Sequence, residues 1–74
     1  MNIAQVQKDH QTIGVRLFGV KKEVTGGYIR VDIGEETASY YPGRNMMRLG
    51  GRNLVRGDAA TFCSKVRELR KAKA

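Results

Sequence analysis

Apolar and polar positions alternate with a period of two over two stretches of this chain and recur at three- and four-residue spacing over a third. From Thr12 to Val20, Ile13, Val15 and Leu17 fall on one face and Thr12, Arg16 and Phe18 on the other, the pattern of a strand with one buried side. Tyr28 to Ile33 repeats it, with Ile29, Val31 and Ile33 inward and Tyr28, Arg30 and Asp32 outward. Between them lies Lys21 to Gly27, where Gly26-Gly27 would supply the positive φ of a hairpin turn.

After a turn at Gly34-Glu35-Glu36, the β-prone piece Thr37 to Tyr41 predicts a third strand, because an isolated two-stranded hairpin is barely stable in water. Pro42-Gly43 suits the two central positions of a type II turn and ends that strand. Asn45, Met47 and Leu49 alternate with Met46 and Arg48, so a fourth strand or an extension of the third fits before Gly50-Gly51 interrupts it. Helical periodicity then takes over: Ala59, Phe62, Cys63, Val66 and Leu69 form one apolar stripe, and Asp58 is placed to cap its first turn.

The expected fold class is α+β, a three-stranded antiparallel sheet, extendable to four, with one C-terminal amphipathic helix packed on it. Residues 1–11 are polar apart from Ile3 and Val6 and read as a flexible N-terminal arm, leaving 12–74 as a single small basic domain. A chain of 74 residues buries only about 60% of its unfolded surface, so a homodimer that covers the thin core is one open alternative.

Charge changes this picture more than composition does. The net charge is +7, and nine of the fourteen Lys and Arg residues lie in Arg44–Ala74 against only Asp58 and Glu68, whereas residues 1–43 are neutral overall. A positive field confined to one segment draws polyanions. Arg44, Arg48, Arg52 and Arg56 recur every four residues; Gly50-Gly51 in their midst argues against a helix, and on an extended backbone that spacing also keeps side chains on one face. All four carry the planar fork that suits phosphate, although a solvated loop would carry the same residues. Arg16, Tyr28 and Arg30, with Phe18, make the outward face of the first hairpin, either an ordinary solvated face or one laid on nucleic acid. Lys65, Arg70 and Lys71 add charge along the helix and equally complement its C-terminal dipole.

Other chemistry has little support. The acids are scattered, His10 stands alone, no nucleophile has a placed base and no metal-ligand spacing occurs, so neither catalysis, a metal nor a cofactor is expected. Met46-Met47 and Cys63 read as core filler, and a lone cysteine fits a reducing compartment. No apolar run suits a membrane span or secretory signal, so the expected location is the cytoplasm, with the nucleoid, or an organelle matrix.

With Gly14-Val15-Arg16 opening one strand, Gly27-Tyr28-Ile29-Arg30-Val31 the next, and Ala59-Ala60 opening the helix, the chain resembles the AP2-like DNA-binding fold, which includes plant AP2 domains and the small N-terminal domains of some phage and transposon integrases. The resemblance implies a three-stranded sheet in the DNA major groove, a helix bracing its back, Arg16, Tyr28 and Arg30 at the groove-facing positions, and Leu49-Gly50 at the end of the third strand. It lacks the family's strand tryptophan, has a longer Tyr40–Arg56 connection, and puts Asp32 on the reading face. Gly14-Val15-Arg16, Phe18-Gly19 and Tyr41-Pro42-Gly43-Arg44-Asn45 are also similar to parts of a small basic large-subunit ribosomal protein of bacteria, which implies ribosomal RNA as a partner. The expected function is non-enzymatic binding of double-stranded DNA through the sheet face and the arginine loop. RNA and an acidic protein partner are the alternatives.

Overall fold

The computed structural model describes residues 3–34 and 36–72. Helix α1 (Ile3–Arg16) leads into five strands, β1 (Lys22–Val24), β2 (Ile29–Asp32), β3 (Thr37–Tyr41), β4 (Met46–Leu49) and β5 (Val55–Arg56), and helix α2 (Ala59–Ala72) closes the chain. The strands form one antiparallel sheet in the order β1-β2-β3-β4-β5, each hydrogen-bonded to its sequence neighbour. The α+β class is as expected, but with five strands and two helices in place of three or four strands and one helix.

The first element is the principal correction. Thr12–Val20 is not a strand, and the residues read as an arm are helical from Ile3. Ile13 and Leu17 are buried four residues apart, while Val15, which a strand would have buried with them, is 71% exposed. The stripe facing the core runs through Val6, Asp9, Ile13 and Leu17, and a carboxylate in the second of those positions breaks the apolar periodicity by which a helix is read.

Asp9 is only 2% exposed. Its Oδ2 accepts the backbone N–H of Gly43 at 2.8 Å and faces the Tyr40 hydroxyl at 3.4 Å, and its Oδ1 accepts Gln5 Nε2 at 2.8 Å. A buried carboxylate is tolerated only when such donors replace water. The result is a polar bolt between α1 and the β3–β4 turn. Burial, first, and the nearby charge of Asp9 push the Tyr40 phenol well above its ordinary pKa.

The turn that Asp9 grips is the expected one. Arg44 N–H donates to the Tyr41 carbonyl at 3.1 Å across Pro42-Gly43, with Gly43 at φ 80°, as a type II turn requires. Gly26 and Gly27, by contrast, do not take left-handed φ values; the β1–β2 turn closes through Thr25, whose N–H and hydroxyl both donate to the Tyr28 carbonyl.

Burial along β2 and β3 alternates, with Ile29, Val31, Ala38 and Tyr40 inward, and cross-strand register carries that face to Met47. Against it pack Ile13 from α1, Leu17 just after it, and Ala59, Phe62, Cys63 and Val66 from α2, all in one core, with the Tyr40 and Phe62 rings 5.3 Å apart. Asp58 caps α2 as expected: its Oδ1 accepts Thr61 N–H at 2.8 Å, a bond that holds its carboxyl below the usual range. Gly57, before the cap, lets the chain pass over Met47, where a β-carbon would collide with the Met47 side chain. Met47 and Cys63 are core filler; Met46 is half-buried on the other side of the sheet.

Two outcomes follow for urea unfolding. Ile13→Ala should cost about 2–4 kcal/mol and Val15→Ala no more than about 0.5 kcal/mol, whereas equal losses would restore the strand. Asp9→Ala should cost about 1–3 kcal/mol by leaving Gly43 N–H unpaired, with Asp9→Asn losing less; a neutral Asp9→Ala would dismiss the bolt.

Candidate nucleic-acid interface

With both helices on one side, the opposite face of the sheet carries no layer among the described residues. Cross-strand register places Glu23, Arg30, Ser39 and Arg48 in one row across β1, β2, β3 and β4. A neighbouring row runs through Tyr41, Met46 and Arg56 on β3, β4 and β5. Each of these side chains is half-buried or exposed. Ser39, small and central, leaves a saddle between Arg30 and Arg48, whose backbones are two strand spacings, or about 10 Å, apart.

Arg30 is held in place by an aromatic support. Its Nη2 donates to Tyr28 Oη at 2.9 Å, its guanidinium carbon lies 5.8 Å from the Tyr28 ring centroid, and that ring packs on Tyr41 with centroids 5.6 Å apart. The Arg30 hydrogen bond is the main cause that draws the Tyr28 phenol below its ordinary pKa, and the same bond raises Arg30. Asp32, on the same face, has its Oδ1 turned to accept Gly34 N–H at 2.9 Å, so this acid serves the β2–β3 turn. Glu23, directly opposite Arg30 on edge strand β1, is the acid that stands in the row itself.

The remaining expected site residues do not gather here. Arg48 and Arg56 share the outer face, but Arg44 lies in the β3–β4 turn and Arg52 in the bend after β4, at opposite ends of that strand. The four-residue spacing spans two turns, so it does not make one stripe. Arg16 is in the last turn of α1 and so is not beside Tyr28 and Arg30; Phe18 follows it on the helix side. Lys65 on α2 borders a small groove with Arg52 near β4 and β5. Arg70 and Lys71 line another groove with Arg16, Phe18 and Arg67. Tyr41 and Ser39 are surface residues that the sequence pattern does not single out: in the run Ser39-Tyr40-Tyr41 the two tyrosines are interchangeable until a partner strand sets which one faces inward. Arg67, too, joins a site only through its neighbours in space.

A scan against protein-family models, a search of curated proteins and a search of solved structures each found no match to this chain. The interface therefore rests on geometry alone.

In a Tyr41→Phe background, a titration followed by phenolate absorbance should show Tyr28 ionising before Tyr40, and Arg30→Ala should raise the first midpoint. A first midpoint indifferent to Arg30→Ala would mean that the two side chains do not meet in solution.

Proposed function

We propose that this is a non-enzymatic nucleic-acid-binding protein that lays the outer face of its sheet on double-stranded DNA. The observation that carries the reading is the row Arg30, Ser39, Arg48 across the three central strands. Three strands span about 10 Å, within the roughly 12 Å width of the B-form major groove, while all five would span about 19 Å and could not enter. In this reading β2, β3 and β4 sit in the groove and Arg56 on β5 meets the flanking phosphates. Arg30, steadied by Tyr28, is the side chain best prepared for a bidentate contact with a base edge, and Arg48 supplies phosphate contact or a second base contact. The AP2-like resemblance implies the same docking, with Tyr28 and Arg30 retained and Arg48 in the role that Arg16 does not reach from α1. Duplex RNA fits less well, because its major groove is too narrow and deep for a sheet.

The test is a set of titrations of fluorescent duplexes at two salt concentrations. Arg48→Ala should weaken binding to every sequence and reduce the salt slope by about 0.9 for each phosphate that the side chain had neutralised. Arg30→Ala should change the preference among sequences, at about 1–3 kcal/mol for a bidentate base contact. Arg52→Ala, in the bend beyond β4, should have the smaller effect. Unchanged affinity for Arg30→Ala and Arg48→Ala at low salt would remove the sheet from the interface.

A further inference from the structure

A second cationic surface lies on the other side of the molecule, where α1 ends and the last turns of α2 pass. Arg16, Arg67, Arg70 and Lys71 surround a groove of about 410 Å³ floored by Leu17 and Val20, and no acid is among the described residues that line it. At its rim stands Phe18, 88% exposed.

Phe18 is held in that position by the backbone. Val20 N–H donates to the Leu17 carbonyl at 3.1 Å, Gly19 turns the chain at φ 83°, and Lys22 Nζ donates to the carbonyls of Leu17 and Val20 at 2.8 and 2.9 Å. Leu17, buried at 1% exposure, anchors the backbone immediately before Phe18. The turn thus presents a large apolar side chain to solvent at little further entropic cost to binding. The Lys22 ammonium serves the Leu17 and Val20 carbonyls of the turn after α1. Arg70 is steadied by a 2.8 Å bond from its Nη1 to the Asp32 carbonyl.

We propose that this groove binds an unpaired stretch of nucleic acid, with a base stacked on Phe18 and the adjoining phosphates on Arg67, Arg70 and Lys71. A positive groove beside an exposed aromatic ring is the combination that holds single strands, since every base offers a π-face and every nucleotide a phosphate. The groove has room for about one nucleotide, whereas a duplex hides its base faces from a protruding ring. The proposal rests on the reading that the protein binds nucleic acid, but on a surface separate from the sheet face, so the chain would hold a duplex and a single strand together.

The experiment is fluorescence anisotropy with a labelled 12-nucleotide single strand and, separately, a labelled duplex, on the full chain. Phe18→Ala should weaken the single strand about 5- to 100-fold and leave duplex affinity unchanged. Arg67→Gln with Lys71→Gln should reduce the single-strand salt slope by roughly 1.4. Arg30→Ala with Arg48→Ala should do the reverse, losing duplex and keeping the single strand. Because Phe18 is exposed, its variant should fold, as circular dichroism would verify. Single-strand affinity unaffected by Phe18→Ala overturns the proposal, as does displacement of the strand by polyglutamate at equal charge. Duplex binding without single-strand binding overturns it and leaves the sheet reading standing; binding of neither overturns both.

Discussion

The structure turns on a buried carboxylate. Asp9 projects from α1 into the core boundary and takes the N–H of Gly43 from the β3–β4 turn, with Gln5 and the Tyr40 hydroxyl completing its surroundings. Hydrophobic burial alone would let a short amphipathic helix slide over the sheet, because apolar contact has little direction. A carboxylate acceptor matched to a backbone donor has direction, and it costs free energy whenever that donor is absent. Asp9 thereby ties α1 to the same side of the sheet as α2, and with both helices on one side the other face is uncovered among the described residues.

That bare face makes an interface possible. The core draws in the apolar side chains on one face of the central strands, Ile29, Val31, Ala38, Tyr40 and Met47. Outward on the central strands run Arg30, Ser39 and Arg48, beside Tyr41 and Met46, with Tyr28 and Tyr41 in ring contact and an edge-strand acid opposite Arg30. The alternation that builds the core therefore also sorts the charge. Positive side chains that a sheet interior would reject are concentrated on its surface.

The same sorting divides the cations between two sides. Arg30, Arg48 and Arg56 lie on the open sheet face, while Arg16, Arg67, Arg70 and Lys71 meet at the C-terminal turns of the two helices. A rigid ligand on one side does not reach the other. Seven of the described cations thus lie on two surfaces, one flat and guanidinium-rich and one grooved with a protruding phenyl ring.

Local pattern alone was sufficient for β2, β3, the Pro42-Gly43 turn, the Asp58 cap and the apolar stripe of α2, because each depends on a side-chain period or a backbone preference within a few residues. Arg30, Tyr28 and Arg48 were legible as surface candidates for the same reason. Helix α1 was not: its core-facing stripe includes Asp9, whose place there makes sense only beside Gly43, thirty-four positions along the chain. Nor did the arginine spacing reveal its division, since the β3–β4 turn and the bend after β4 send Arg44 and Arg52 to opposite ends of a strand. The meeting of Arg16 with Arg67 and Arg70, and the choice of Tyr41 over Tyr40 for the outer face, were left to the tertiary structure, because proximity across distant segments and strand register are properties of the packed chain.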